Sequence, residues 1–389
     1  MQADVVFVGA GLANGLIAYR LRQLRPDLTI LLFEAEPAIG GEHTWSFHDG
    51  DVPDNAMRWL APFVAHRWTA QEVRFPGFKR LLSTGYRSIT AERFRAVLTE
   101  ALGDAIVTSA PVAHIASDAV WLRDGRIVQA EAVIDARGGT GGPHLRLAFQ
   151  KFVGLEIRTA APHGRSAPLI MDATVDQTDG YRFVYVLPLA PDRLLVEDTY
   201  YSDEAALDAE AVRARIRRYA KDKGWEPSAV VREESGVLPL ILAGDIDSFL
   251  GAWPAGVARV GLAGGLCHPV TGYALPDAVR VAELIVNLPH LEGRAVARAV
   301  ADFARARWHD QRFLRLLARM LFVAAAPEQR WRVLQRFYAL PEPLIERFYA
   351  GHPSVGDKIR ILSGRSPVPI ARALSVLREQ PLLGARLDT

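Results

Sequence analysis

The sequence predicts an α/β fold: a mostly parallel sheet with flanking helices, interrupted by a β-rich insert and followed by a helical C-terminal region. Three observations predict it. Short apolar runs near residues 5, 30, 133 and 258 lie far apart in the chain and lack polar alternation, as buried parallel strands do. The first run enters a glycine-rich turn that opens a helix, and the second ends on an acid. Between about 149 and 240 the texture is β-rich, and beyond 293 it is almost wholly helical.

The first unit is the most specific. Residues 5–8 form an apolar strand that enters Gly9-Ala10-Gly11-Leu12-Ala13-Asn14-Gly15. Leu16, Tyr19, Leu21 and Leu24 follow at helical spacing, Pro26-Asp27 ends the helix, and 29–33 is a second strand ending at Glu34. This is a Rossmann-type βαβ unit. Gly9 and Gly11 let the backbone turn tightly and approach a pyrophosphate, while the helix points free N–H groups at that anion. Asn14 stands where a third glycine is usual, and Glu34 is placed to accept hydrogen bonds from an adenosine ribose. An acid here disfavours a 2′-phosphate. The glycines alone do not choose between NAD and FAD.

A helix is expected at 90–102 on the apolar stripe Phe94, Val97, Leu98 and Leu102. Strands follow at 106–108, 119–122 and 126–129, the last two joined by a turn at Asp124-Gly125, and at 132–134. The runs 181–187 and 194–200 read as a hairpin, 204–223 as a charged surface helix and 276–288 as a further helix. The expected units are a discontinuous nucleotide domain (1–60, 90–148 and 255–290), a β-rich substrate region (149–254) and a helical C-terminal region (291–389), with 61–89 unassigned.

The 46 basic and 44 acidic residues balance to a net charge of +2, which provides no argument for nucleic acid as a partner. The one cysteine, Cys267, rules out an internal disulfide framework and fits a reducing compartment. No apolar run reaches about 20 residues, so no transmembrane helix is expected. The expected location is cytoplasmic with peripheral membrane association. No spacing suggests a metal site, and no Ser or Cys nucleophile stands out.

Two later segments narrow the cofactor. The stretch from Ala132 through Asp135 to Gly138 resembles the second nucleotide contact of flavoproteins in the glutathione-reductase and hydroxybenzoate-hydroxylase group. Gly261 to Ala274, with His268, Pro269, Gly272 and Tyr273, resembles that group's third motif. The resemblance implies FAD. Leu262 replaces the Asp that binds the ribityl chain in that group, so that contact is not carried over. The helix after Gly272 would favour an anionic reduced flavin through its N-terminal dipole.

Further segments resemble bacterial lycopene cyclases. They are Gly40-Gly41-Glu42-His43-Thr44-Trp45-Ser46-Phe47, 171–177, Gly180-Tyr181-Arg182-Phe183-Val184-Tyr185, Leu195-Val196-Glu197-Asp198-Thr199, 268–273 and 330–338. The resemblance covers nearly the whole chain. It implies acid-catalysed closure of β-ionone rings on the ends of lycopene, by way of γ-carotene to β-carotene, without net redox change. It implies reduced FAD as the active form and NAD(P)H as a candidate flavin reductant. Lycopene and other linear carotenoids would be the substrates, and other carotenoid enzymes are candidate partners. A flavin monooxygenase or reductase acting on an isoprenoid, and a non-catalytic prenyl-lipid escort of the same fold, stand as alternatives.

That chemistry needs an acid in a dry cavity, a stabiliser for a carbocation and apolar surroundings. By strand alternation Leu195, Glu197 and Thr199 share one face, while Val196, Asp198 and Tyr200 share the other. Glu197 is therefore the expected catalytic acid, matching the family's functional acid, and Asp198 the runner-up. The plainer reading of Glu197 is a strand-edge acid paired with an arginine. Tyr181, Phe183 and Tyr185 share a strand face and are candidate substrate contacts, although a sheet core is the preferred reading of them. Asp172 and Asp176 read as loop acids. Residues 303–338 interleave aromatics with arginines, which suits either a membrane interface or helices packed on the flavin domain with arginines facing solvent.

Overall fold

The computed structural model describes residues 2–139, 144–178, 180–364 and 367–379. Gln2–Val8 is the centre of a seven-stranded sheet. It pairs in parallel with Ile30–Phe33 on one side and Ile127–Asp135 on the other, and Ile30–Phe33 pairs in parallel with Ile106–Val107. Val5, Val6 and Phe7 are fully buried because both sheet faces are covered, which explains the missing alternation.

The strands expected at 126–129 and 132–134 are one strand, Ile127–Asp135. Its first residues pair antiparallel with Ala119–Leu122 and alternate between exposed and buried. Its last residues are buried without alternation, and Ile134 and Asp135 pair in parallel with Ala258–Arg259. The change of environment midway makes one strand read as two.

A second seven-stranded sheet runs in the order Pro227–Gly244, Leu145–Thr159, Arg193–Ser202, Tyr181–Ala190, Leu169–Asp172, Gln71–Phe75 and Phe78–Leu82. Two of its strands come from the unassigned stretch 61–89. The remaining strands of that stretch, His66–Trp68 and Tyr86–Ile89, form a small sheet with Trp45–His48. Leu145–Thr159 crosses the boundary expected at 148/149. The helix Gly293–Asp310, expected with the C-terminal region, packs on the nucleotide domain, with Val296, Val300 and Ala304 in the same core as Val5 and Phe7. Residues 140–143 of the expected nucleotide unit and 380–389 of the helical unit lie outside the described residues.

The two faces of the second sheet have different partners. Val153, Val184 and Val196 pack under Val212 and Ile216 of the helix Ala209–Asp222. The alternate residues Phe183, Leu195 and Tyr201 face Leu314, Leu321 and Phe337 of the C-terminal helices. Register therefore decides which side chains point inward.

The basic and aromatic stretch 303–338 is outward only in part: Arg305, Arg312 and Arg332 are exposed, as expected of packed helices with arginines facing solvent, but much of the rest is not. Leu314, Leu321, Phe322, Leu334, Phe337 and Tyr338 are buried, and so are Arg315, Arg319 and Arg330. These arginines satisfy backbone carbonyls. The turn Met320–Ala324 is π-helical, a geometry in which carbonyl pairing departs from the α-helical pattern, as in the Ala325 N–H bond to the Met320 carbonyl at 3.0 Å. Arg330 takes up the Leu321, Phe322 and Tyr201 carbonyls at 3.1, 2.9 and 3.1 Å and pairs with Asp203 at 2.9 Å. It thereby ties the C-terminal helices to the inward sheet face. Arg330→Met would leave those carbonyls buried and unpaired, each worth about 1–3 kcal/mol. The variant is expected to show a clearly lower urea midpoint than the parent, read by circular dichroism, and an unchanged midpoint would remove Arg330 from this role.

Candidate active site

The nucleotide turn sits at the C-terminal edge of the parallel sheet. Gly9 has φ +86°, and a Cβ there would lie 3.2 Å from the Arg137 backbone nitrogen, so only glycine fits. Gly11 caps the helix Leu12–Leu24, whose first N–H groups have no side-chain cap, and a Cβ on Gly11 would meet no atom within 4 Å. This leaves an open approach to a helix N-terminus. Glu34 accepts from the Ala10 and Ala35 backbone N–H groups, both at 2.8 Å, which holds a half-buried carboxylate against the turn.

The part expected of Asn14 is divided between two residues. Its side-chain amide donates to the Val8 and Gly9 carbonyls at 3.0 and 2.8 Å and braces the turn. Close packing falls to Gly15, where a Cβ would lie 2.4 Å from the Phe94 ring. The signal for Gly15 was present in the glycine next to Asn14. Gly40 (φ +77°) donates to the Ala10 carbonyl at 3.0 Å and is followed by Gly41 (φ +58°). Asp135 is fully buried and held by the Arg137 backbone and guanidinium at 3.0 and 2.9 Å, with Gly138 exposed beyond it.

The segment 261–275 links this cradle to the second sheet. Gly261 (φ +64°) approaches Ala13 of the first helix, where a Cβ would meet Ala13 Cβ at 3.0 Å. His268 Nδ1 accepts from the Val270 and Thr271 N–H groups, both at 3.2 Å, and Nε2 donates to the Phe348 carbonyl at 2.9 Å. Burial pushes its ring down to about 4, so it stays neutral. Both ring nitrogens are thus engaged within the protein, and His268 shapes the loop around Pro269. Gly272 (φ +70°) and Tyr273 lead into the helix Leu275–Val286, which also lacks a side-chain cap.

Leu262, Gly272 and Tyr273 form one wall of a partly open cavity of about 200 Å³, and Phe183, Tyr185 and Glu197 of the second sheet form another. Thr44 and Trp45 also line it. Tyr181 does not: it is fully buried between Phe183 and Tyr201, with ring centroids 5.3 and 5.6 Å away. The Tyr185 hydroxyl is hydrogen-bonded with Ser46 Oγ at 2.7 Å and with the Tyr86 hydroxyl at 3.1 Å, donating in one bond and accepting in the other, and Tyr86 meets the Tyr273 hydroxyl at 2.9 Å. Burial raises all three phenols well above their ordinary range, so the chain of rings is neutral.

Glu197 points into this cavity from the strand Arg193–Ser202 and accepts from the Thr199 hydroxyl at 2.6 Å. Burial, and then the nearby Glu234 charge, push its carboxyl up to about 8. Asp198 faces the other way. Burial pushes its carboxyl up, and three bonds from the Arg182 guanidinium, at 2.8, 3.1 and 2.7 Å, oppose that shift, with Arg215 3.7 Å away. The arginine-paired strand acid is therefore Asp198. Asp172 is not a loop acid either: it is buried at the end of Leu169–Asp172, bonded to Tyr219 at 2.7 Å. Glu234, Thr44 and Trp45 escaped the sequence reasoning as site residues. Thr44 and Trp45 lie in a quoted motif, whereas only the alternation of Arg232 with Glu234 hinted at the inward face.

Asp198→Asn would leave Arg182 buried without a counter-charge, at a cost of about 3–5 kcal/mol. The variant is expected to unfold at much lower denaturant, whereas Glu197→Gln should unfold near the parent midpoint. Equal midpoints for the two would contradict the division of labour between neighbours.

Comparison with known proteins agrees with this architecture. Solved structures with the same fold include a probable FAD-dependent monooxygenase from Pseudomonas aeruginosa (TM-score 0.57, 17% identity, covering 85% of this chain and 99% of that one). Another is a geranylgeranyl bacteriochlorophyll reductase-like protein from Thermoplasma acidophilum (TM-score 0.57, 14% identity, covering 100% and 98%). At such identities the likeness establishes the fold alone. The chain is 50% identical to the lycopene beta-cyclase of Pantoea ananas over 374 residues, 96% of this chain and 97% of the relative. It is 46% identical to that of a Paracoccus strain over 391 aligned positions, 98% and 99% of the two chains. With a lycopene cyclase family match running from residue 4 to 375 as well, the chain belongs to the lycopene cyclase protein family.

Proposed function

We propose that this chain is a flavin-dependent lycopene β-cyclase. The observation that carries the proposal is Glu197: a carboxyl raised to about 8, on the inward face of a sheet, in an aromatic cavity that abuts the nucleotide loop. The relatives near half identical are β-cyclases, which weighs against the oxidoreductase and escort alternatives.

The residues fit FAD. The open approach at Gly11, the uncapped helix behind it, the half-buried Glu34 carboxylate and the turn at Asp135 and Gly138 suit a dinucleotide. Gly261 and Gly272 would carry the flavin end, next to the cavity. Bound there in reduced form, FAD supplies negative charge near a developing cation, and NAD(P)H is the proposed reductant.

The chain's own groups account for the proton chemistry. Glu197, neutral near pH 7, gives its proton to C2 of the terminal double bond of lycopene, which leaves a tertiary cation at C1. The C5=C6 double bond attacks C1 and closes the ring. Loss of the C6 proton then forms the ring double bond, so the product is an isomer of the substrate. The Tyr185, Tyr86 and Phe183 rings line or border the path and favour positive charge at their π faces. The ionised Glu197 adds Coulombic stabilisation.

Anaerobic incubation of prereduced protein with lycopene, followed by pigment chromatography, tests this reading. Cyclised product is expected with one solvent deuteron per ring in deuterated buffer. Glu197→Gln should lower the rate by at least about 10²–10⁴-fold with flavin still bound. Because the raised acid must be protonated, activity should be full below pH 7 and fall as pH rises through about 8. Oxidised flavin formed once per ring, or near-normal activity of the variant, would overturn the assignment.

A membrane surface is the proposed source of substrate. Among the described residues the exposed large apolar side chains concentrate at Val355, Ile359, Leu362, Ile370, Leu374 and Leu377, whereas 303–338 contributes Val323 alone. Exposed Arg360, Arg372 and Arg378 accompany them. Leu362, Ile370, Leu374 and Leu377 line an apolar groove of about 380 Å³ that reaches Val270 and Phe348, whose chain neighbours Thr271 and Tyr349 line the Glu197 cavity. Among the described residues no helix is long and apolar enough to cross a membrane. The protein is expected to float with anionic liposomes at low salt, and Ile359→Glu with Leu374→Glu should abolish flotation while flavin stays bound. Flotation undiminished in the double variant would move the contact elsewhere.

A further inference from the structure

The residue row that carries Glu197 holds a second carboxyl. Glu197 and Glu234 are both register partners of Gly154, on the two strands that flank Leu145–Thr159. Register partners project from the same face. Strands two apart are separated by about 10 Å, a span that two glutamates close only if nothing stands between them. Gly154 provides that gap. A Cβ on it would lie 2.9 Å from Glu234 Cγ and 3.3 Å from Glu234 Oε1. With that gap open, the Glu234 carboxyl is near enough to act on Glu197 and raise the cost of ionising it.

Their surroundings differ. Glu234 is 3% exposed, and its Oε2 receives the Thr44 hydroxyl and the Arg232 guanidinium, both at 2.8 Å. A charged donor of this kind favours the anion. Glu197 receives the neutral Thr199 hydroxyl. In a dry site two adjacent carboxyls cannot both ionise cheaply, so one proton stays with the pair.

We propose that Glu197 and Glu234 form a proton-sharing dyad across Gly154, in which Glu234 keeps the charge and is the positioning residue that holds the proton on Glu197. Other groups facing the pair are Arg232, Glu156 beyond it at 3.3 Å, Tyr185 on the next strand and His43 from the loop after Gly40. Asp198 lies through the sheet, paired with Arg182. Burial lowers the His43 ring, which is therefore neutral where the dyad titrates. In the ring closure, transfer of the Glu197 proton to carbon leaves two adjacent carboxylates facing the cation. Proton loss from the ring returns one proton to the pair, and the dyad is restored with atoms and charge balanced.

The catalytic use of the dyad rests on the cyclase reading, but the dyad itself does not, so the test has a readout apart from activity. Infrared titration of the flavin-loaded protein follows the carboxylic-acid stretch that Glu197→Gln removes. In Glu234→Gln its midpoint should fall by a unit or more, about tenfold in the protonation equilibrium constant. It should remain above the ordinary carboxyl range, because burial persists. Gly154→Ala, which forces the carboxyls apart, should shift it the same way. The alkaline limb of cyclisation should move in parallel. An unchanged midpoint in whichever of the two variants folds overturns the dyad. Shifted midpoints in a protein that never cyclises lycopene would uphold the dyad and refute the cyclase reading.

Discussion

The register of four antiparallel strands governs the site. Tyr185, Glu197, Gly154 and Glu234 fall in one row because Tyr181–Ala190, Arg193–Ser202, Leu145–Thr159 and Pro227–Gly244 pair as they do. A slip of one residue would turn Asp198 inward and Glu197 toward the helix Ala209–Asp222. The register is held from both sides. Val153, Val184 and Val196 pack into one core, and Phe183, Leu195 and Tyr201 into another. The Asp198–Arg182 ion pair anchors the outward face. Packing on both faces thus fixes which of two adjacent acids meets the cavity.

A carbocation and a polyene need a place from which water is excluded, and such a place is hostile to unpaired polar groups. The cavity meets both demands by letting its polar atoms satisfy one another. The hydroxyls of Ser46, Tyr185, Tyr86 and Tyr273 form a chain, and Glu234 is held by Thr44 and Arg232. What remains turned inward is largely aromatic surface, with the Gln150 side-chain oxygen and a carboxyl whose burial keeps it protonated. The same desolvation that makes Glu197 a costly residue for stability makes it suited to proton delivery at neutral pH.

The C-terminal helices complete the enclosure. Arg319 reaches the Leu242 carbonyl at 2.8 Å, and Arg330 reaches that of Tyr201 at 3.1 Å, so two long cations join helices to the sheet from within. Arg330 also covers the Phe322 ring, 4.8 Å from its centroid. With the arginines so engaged, the outward apolar surface shifts to the last described helices, Val355–Leu362 and Ile370–Ser375, beside the groove.

Local sequence was enough for whatever depends on neighbours along the chain. The strand–glycine–helix–strand–acid unit was legible from Val5 to Glu34 because its contacts span few residues, and the facing of Glu197 followed from alternation within one strand. Tertiary structure decided what depends on distant segments. Gly15 is required because Phe94 lies against it, and Glu234 joins the surroundings of the site because the cavity-lining Thr44, 190 residues earlier, donates to it. Ile127–Asp135 reads as two strands because its neighbours change midway. Arg305, Arg312 and Arg332 do face solvent, but Arg315, Arg319 and Arg330 are buried, because composition cannot reveal which distant carbonyls and acids an arginine will meet. Periodicity reports the face a residue takes on its own element, whereas the partner on the other side of that face is set by pairings that no local pattern encodes.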